Sequence, residues 1–481
     1  VLVLLCLAFL GCQQGQAPSQ DEPNKVPITT SSEEARDKYL DGRELLENLR
    51  ATDAREYYKE AVALDPDFGM AQLAMATTAP TANEFWDSLG AAVASADKLS
   101  EAERHTILAF DAGARGNVEA QKEHLDHLVD GYPEDERAQN ALGQYHFGRQ
   151  EWDQAIQHYE RAASINPDFS QVYNQLGYAR RFLRDYDGAE AAFRKYIDLI
   201  PDEPNPYDSY AELLMKLGRF EESIEQYEKA LELDPRFIAS YVGIGNDQIF
   251  MGRGDEARET FAKLMDVARN DGEKRQALLW SAASYVHEGR TDEALGVLSE
   301  RHAIAKETND FPAMAGDLVL EGMVLLEAGR IDDAWDRFQG AIKRMDRSDS
   351  PQDNKDNFRR NHVYREARVA IARGDLQTAE EKTLTYGERI QEHGILFEQW
   401  LHHELLGLIA MARGDHATAV EHLTQANVQN PRVLYLTALA HDGNGDKEQA
   451  RETCERAANF NGLNFNYAYV RASAQEMLAG L

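Results

Sequence analysis

The sequence predicts an all-α solenoid, a right-handed superhelix of about twelve helical hairpins. Three observations predict it. A small residue recurs at Ala155, Ala189, Ser223 and Ala257, one period of 34 residues apart. An aromatic follows four residues later each time, at Tyr159, Phe193, Tyr227 and Phe261. Pro167, Pro201 and Pro235 close three of the units in the same register. A fixed period of this length is one supersecondary unit copied and stacked, each unit burying its apolar face only against its neighbours. Stacking of that kind lets 481 residues form one array without one oversized core.

The first element in chain order is a targeting signal. Val1 to Gly11 is apolar throughout. It is shorter than the ~20 residues of a membrane-spanning helix and has the length of a secretory h-region. Gly11-Cys12, preceded by Phe9 and Leu10, resembles the bacterial lipobox, with Phe9 standing where leucine is usual. The resemblance implies that Cys12 is lipidated and becomes the mature N-terminus, so residues 1–12 are signal and lipobox. Gln13, where an aspartate would signal retention in the inner membrane, implies the outer membrane by the same resemblance.

Residues 13–33 are expected to be a disordered tether. Gln13 to Ser32 has three prolines and no apolar periodicity. Twenty such residues reach roughly 25 Å, enough to hold a folded body just off a bilayer.

Residues 34–270 carry the regular array. Each first helix needs a small residue where the second helix approaches, and Gly42, Ala76, Ala109, Gly143, Gly177, Ala211 and Gly245 supply it. The aromatic of the second helix fills the space so created. The proline ends that helix, because it lacks an N–H and disfavours helical geometry in the residue before it. Asp65-Pro66, Asn166-Pro167 and Asp234-Pro235 then offer polar groups suited to the next helix start. The pattern resembles the tetratricopeptide repeat, best over Glu136 to Phe169, with matches at Leu142-Gly143, Tyr145, Ala155, Tyr159, Ala162 and Pro167.

Residues 271–481 are expected to be degenerate, longer hairpins ending in a capping helix. The alanine signatures continue at Ala294, Ala334, Ala379, Ala419 and Ala450, now separated by 37, 40, 45, 40 and 31 residues. Asp346 to Asn357 is the most polar break, and it reads as an exposed loop and subdomain hinge. Asn464 to Leu481 reads as the last helix.

Composition excludes several functions. Acidic residues outnumber basic ones by 83 to 51, net −32, which repels nucleic acid, and no basic stripe offsets it. Three cysteines cannot build a disulfide framework, and Cys454 occupies an aromatic slot of the repeat, as a core residue. No phosphate-binding glycine loop, H-E-x-x-H or G-x-S-x-G is present. His124 and His127 lie three apart on one helix, but one belongs to the packed face and the other to solvent. His402 and His403 diverge by about 100° on a helix. No enzyme, metal site or cofactor is expected.

The tetratricopeptide resemblance implies a binding groove instead. First helices of that family line the concave face, with positions 2, 5, 9 and 12 directed into it. In this sequence those positions include Arg137, Asn140, Gln144 and Phe147, then Asn174, Tyr178 and Arg181, then Asp208 and Glu212, then Asn246. Spacings of 3, 4 and 3 put each set on one helix face. The amides suit a peptide backbone, and the aromatics suit apolar anchors.

The expected function is a membrane-anchored, non-catalytic protein-binding scaffold or adaptor of the bacterial cell envelope, lipid-held at the outer membrane facing the periplasm or the cell surface. Its partners are a protein or peptide in the groove and a membrane through the N-terminal lipid, with no nucleic acid. The competing expectation is a surface or periplasmic lipoprotein that captures glycans or peptides for uptake.

Overall fold

A computed structural model describes residues 24–48, 50–391 and 394–481. The expected targeting signal, Cys12 and residues 13–23 lie outside the described residues.

Among the described residues the chain forms twenty-five α-helices and one short 3-10 turn. Consecutive helices pair as antiparallel hairpins. The first three are α1 (Glu33–Glu47) with α2 (Ala51–Leu64), α3 (Gly69–Thr77) with α4 (Ala82–Ser95), and α5 (Glu101–Ala114) with α6 (Val118–Gly131). The regular stretch follows. It comprises α7 (Glu136–Gly148) with α8 (Trp152–Ile165), α9 (Ser170–Phe182) with α10 (Tyr186–Leu199), α11 (Pro204–Lys216) with α12 (Phe220–Leu233), and α13 (Ile238–Phe250) with α14 (Gly254–Val267). Longer hairpins come next: α15 (Asp271–His287) with α16 (Thr291–Glu307), α17 (Phe311–Glu327) with α18 (Ile331–Asp346), and α19 (Gln352–Ala372) with α20 (Leu376–Ile390). The last two are α21 (Leu396–Ala412) with α22 (His416–Leu423) and α23 (Pro431–Asn444) with α24 (Lys447–Ala458), after which α25 (Tyr467–Gly480) stands alone. The fold is therefore an α-solenoid of twelve hairpins and a terminal helix.

One contact recurs through the hairpins. A Cβ placed on Gly143 would lie 2.5 Å from the Tyr159 ring, one on Gly177 2.5 Å from Phe193, and one on Gly245 2.2 Å from Phe261. Gly42 meets Tyr58, Gly322 meets Phe338 and Gly407 meets Leu423 in the same way, each pair sixteen residues apart. The absent side chain lets a buried ring sit against helix backbone, which excludes voids and gains dispersion contacts. From α5 onward the paired helices are joined through a left-handed residue, Gln150 and Arg184 among them. Gly218, Gly252, Gly329 and Gly414 take it with φ near +75° (75°, 77°, 77° and 75°), as only glycine does without strain.

The drift of the period has a simple cause. Helices α7 to α14 have 13 or 14 residues, whereas α15, α16 and α17 have 17 and α18 has 16. The increment is about one turn of 3.6 residues, which returns side chains to the same face. From the small residue to the turn glycine the distance stays seven residues, in Gly245–Gly252 as in Gly322–Gly329. The extra turns lie at the hairpin's far end, so the packing rule survives while the period does not.

Two expectations are corrected. Asp346 to Asn357 is not a loop throughout, because α19 begins at Gln352 behind Pro351, and Arg359 reaches back to Asp346 at 2.7 Å. A helix can carry so polar a start when solvent and ion pairs receive its side chains. Residues 25–32 are not a disordered tether either. The segment lies extended against three successive hairpins. Its backbone and hydroxyl groups donate to carboxylates, and Ile28 packs on the first core cluster. Apolar periodicity carries no trace of a segment held mainly by hydrogen bonds.

The solenoid also closes on itself. The hairpin turns of its first half meet the inter-hairpin loops of its second. Gly116 abuts Ile395, and Gln150 donates to Asn427 at 3.3 Å. Lys216 lies 4.6 Å above the Phe460 ring, and Gly218 lies beside Asn461. Helix α25 packs against α15, and Tyr467 and Ala468 join Val242, Ile249, Phe261 and Trp280 in one core cluster. The expected cap is thus also a clasp.

Candidate functional site

Helices α7, α9, α11 and α13 carry the positions that sequence assigns to a groove. Asn140, Asn174 and Asp208 stand one period apart and are all buried. Asn140 Nδ2 reaches Gln171 Oε1 at 3.4 Å. The Oδ1 atoms of Asn140 and Asn174 are buried and accept no hydrogen bond among the described residues. Asp208 Oδ1 accepts the Ser240 hydroxyl at 2.7 Å, and burial, with Glu212 beside it, pushes the Asp208 carboxyl up to about 8.

The neighbouring positions are more open. Gln144 is exposed. Phe147 packs edge-on to Trp152 with ring centres 5.0 Å apart, and Trp152 stacks on Phe182 at 4.4 Å. The Arg181 guanidinium lies 4.7 Å above the Tyr178 ring and donates to Glu212 at 3.1 Å, while the Tyr178 hydroxyl reaches Ser209 at 3.4 Å. Arg137 is pinned by Glu47 at 2.8 Å and covers the Phe169 ring. It bridges hairpins instead of projecting freely. Trp152 and Phe182 were not in the predicted set, because their aromatic cluster forms at the turn end of the hairpins.

The far end of the predicted groove is occupied by the chain itself. Asn246 is fully buried, and its Oδ1 accepts the Tyr467 hydroxyl at 2.7 Å. Lys216 sits over the Phe460 ring, and burial, reinforced by Arg181, Arg184 and Arg456, lowers its ammonium to about 8. A partner cannot reach Asn246 while α25 is docked. The predicted set therefore divides into an accessible part, Gln144 to Arg181, and a covered part ending at Asn246.

A second surface is formed by the segment that precedes α1. Lys25 pairs with Glu136, the Val26 N–H donates to Asp135 at 2.8 Å, and the Thr29 N–H and hydroxyl both donate to Glu103 at 2.6 Å. The Thr30 hydroxyl and Ser31 N–H donate to Asp65 at 2.6 and 2.7 Å. Asp65, Glu103 and Asp135 come from successive hairpin junctions, so one extended strand spans three of them.

A third region lies in the longer hairpins. A cavity of about 370 Å³ opens between α17, α19 and α21 and the loops before α23 and α25. Val319, Met323, Leu401 and Trp400 give it an apolar wall, and Phe397, 53% exposed, stands at its edge. Arg365, Arg368 and Arg432 also line it. Arg368 and Arg432 each pair with both Glu327 and Glu404, and the Tyr364 hydroxyl also donates to Glu404 at 2.8 Å. Sequence reasoning missed this cavity. Its signal is a cluster of asparagines, Asn427, Asn430, Asn464 and Asn466, in the successive inter-hairpin loops before α23 and α25.

The histidines pair within hairpins, from one helix to the other. His105 and His124 approach with Nδ1 atoms 3.0 Å apart, and His127 lies against the His105 ring on the exposed side. Burial and then the neighbouring histidines lower His105, which keeps the pair uncharged near neutrality. His403 and His422 repeat the arrangement at 3.3 Å. Among the described residues, no group of three or more His, Cys, Asp or Glu side chains is placed to hold a metal ion. Cys454 is buried, with its thiol directed at the Ala474 carbonyl. No described helix is long and apolar enough to cross a membrane.

Comparison with known proteins bears on this geometry. Tetratricopeptide-repeat family models match residues 143–180 and 211–246, 170–203, and 404–464. The chain carries tetratricopeptide repeats. The last match reaches into the longer hairpins, where the period has drifted. The chain is 22% identical over 228 residues to the wheat (Triticum aestivum) Hsp70-Hsp90 organizing protein, covering 47% of this chain and 31% of that protein. The match thus spans about a third of that relative's length. Among solved structures, a tetratricopeptide repeat protein from Parabacteroides merdae is similar over 54% of this chain and 97% of its own, at 15% identity and a TM-score of 0.37. The Cut9-Hcn1 hetero-tetramer of the APC/C is similar over 88% of this chain and 76% of its own, at 14% identity and a TM-score of 0.39.

Proposed function

We propose that this tetratricopeptide-repeat chain is a non-catalytic protein-binding scaffold of the bacterial cell envelope, held at the outer membrane by a lipid on Cys12. Its partner lies as an extended segment along the inner face of α7 and α9. The observation that carries the reading is that exposed Gln144 and half-buried Phe147 on α7 stand one repeat from half-buried Tyr178 and Arg181 on α9. Polar and cationic groups at repeating positions suit the backbone and charged groups of an extended partner, and half-buried aromatics suit anchor side chains. The segment at 25–31, which already lies across three hairpin junctions, supports the same mode of recognition. The wheat relative's name, an organizer of two chaperones, accords with a scaffold role.

Two experiments test this. Membrane fractionation should show the intact protein in the membrane pellet and the Cys12→Ala variant in the soluble fraction. A variant that stays with the membrane removes the anchor. Affinity capture from envelope extracts should recover a partner with the intact chain and lose it with the Asn174→Ala, Tyr178→Ala, Arg181→Ala variant. Equal recovery removes the groove.

A further inference from the structure

We propose that the cavity between α17, α19 and α21 binds a small organic carboxylate carrying an apolar body, aromatic or acyl. This site is separate from the groove of α7 and α9, and the inference does not depend on the scaffold reading.

The charge balance of the cavity comes first. Glu327 and Glu404 together neutralise Arg368 and Arg432 through four ion-pair contacts. Arg365 has no carboxylate at ion-pair distance among the described residues, and its Nη1 is buried without a hydrogen bond. Its guanidinium rests over the Phe358 ring at 4.9 Å. One cation is thus left over in a cavity of a chain with net charge −32. An arginine held away from water costs free energy unless an anion joins it.

The amides add donors and few acceptors. Asn427 Oδ1 accepts from Gln150 and from the Gln429 N–H. Asn430 Oδ1 caps α23 through the Arg432 N–H, and Asn464 Oδ1 accepts the Asn466 N–H. Each carbonyl oxygen is engaged by the protein, so the NH₂ groups of these three remain for a ligand. A rim of amide donors with one unneutralised guanidinium selects an anion, and the planar guanidinium fork fits a carboxylate.

The apolar part of the lining selects the body of the ligand. Trp400, Leu401, Val319 and Met323 offer no charged group, and Phe397 extends the apolar surface to solvent. A volume of about 370 Å³ is within the range of small-molecule sites. At about 30 Å³ per water it displaces on the order of a dozen waters, the scale of a compact molecule.

The test is titration calorimetry on the full chain with phenylacetate and octanoate, alongside 2-phenylethanol and 1-octanol. At least one acid should bind with its alcohol at least tenfold weaker. Arg365→Gln should weaken the acid about ten- to a hundredfold, as expected for loss of a charged hydrogen bond. Asn430→Asp guards against misfolding. Aspartate caps a helix as well as asparagine, so the melting temperature should hold while the added negative charge weakens acid binding by a similar factor. The proposal is overturned if neither acid binds at millimolar concentration, if acids and alcohols bind equally, or if Asn430→Asp leaves acid binding unchanged. It is also overturned if a free-acid tetrapeptide binds while both small acids do not, which would make the occupant a chain terminus.

Discussion

The Tyr467 hydroxyl donates a 2.7 Å hydrogen bond to Asn246 Oδ1 across 221 residues of sequence, and both groups are buried. The bond fastens the terminal helix to the middle of the array. Asn246 Nδ2 meanwhile donates to the Val242 carbonyl at 2.8 Å, so the amide is held at both ends. Tyr467→Phe should leave a buried acceptor unsatisfied and cost about 1–3 kcal/mol. Urea denaturation followed by far-UV circular dichroism measures it, and an unchanged midpoint would mean that the clasp adds nothing.

Small residues in the first helices should tolerate little change. A Cβ on Gly177 would stand 2.5 Å from the Phe193 ring, whereas one on Gly90 meets nothing within 4 Å. Gly177→Ala should destabilise by about 1–3 kcal/mol through overpacking. Gly90→Ala, on an exposed helix position, should stabilise by roughly 0.5–1 kcal/mol. Paired thermal melts read both, and the opposite signs distinguish packing from helix propensity.

Asp208 and Asp247 make stability depend on pH in an unusual direction. Burial raises both carboxyls from the usual 3.8 to about 8. Between those values the folded chain holds protons that the unfolded chain has released, so this contribution is complete below pH 3.8 and is lost as pH rises through about 8. Asp208→Asn should flatten that decline and raise stability at pH 8 by on the order of a few kcal/mol. Denaturation midpoints at acid and mildly alkaline pH check the slope.

The segment before α1 should follow the reverse rule. Burial raises the Asp65 carboxyl, but hydrogen bonds from Thr30 and Ser31 outweigh it and leave the group below the usual 3.8. Its hold on the segment is present above pH 3.8 and is lost as pH falls through the lowered value. Asp65→Asn should release part of that hold at neutral pH. Hydrogen exchange at the Ser31 amide should speed up, while the Val26 amide, held by Asp135, should change less.

Hairpin architecture was legible in the sequence because it rests on contacts of short separation. The pairing of Gly177 with Phe193, sixteen residues apart, can be found by counting, and it persists at Gly322 and Phe338 after the period is lost. Closure was not legible. The meetings of Gln150 with Asn427 and of Asn246 with Tyr467 depend on rotations accumulated over many hairpins, which no local pattern encodes. Asp65 looked like a helix-boundary residue, which it is, and its second oxygen's role as an acceptor for Thr30 and Ser31 left no mark in sequence. The groove positions on α7 and α9 were named by family register alone. That register could not reveal that α25 covers Asn246, nor that two successive inter-hairpin loops bring Asn427, Asn430 and Asn464 to one cavity with α17, α19 and α21.

The partner proposed for the inner face of α7 and α9 is within reach of site-specific photo-crosslinking. A crosslinking amino acid at exposed Gln144 should capture a discrete partner in intact cells, while one at exposed Glu228, on a second helix, should capture none. The same partner captured from both positions, or from Glu228 alone, would contradict the account.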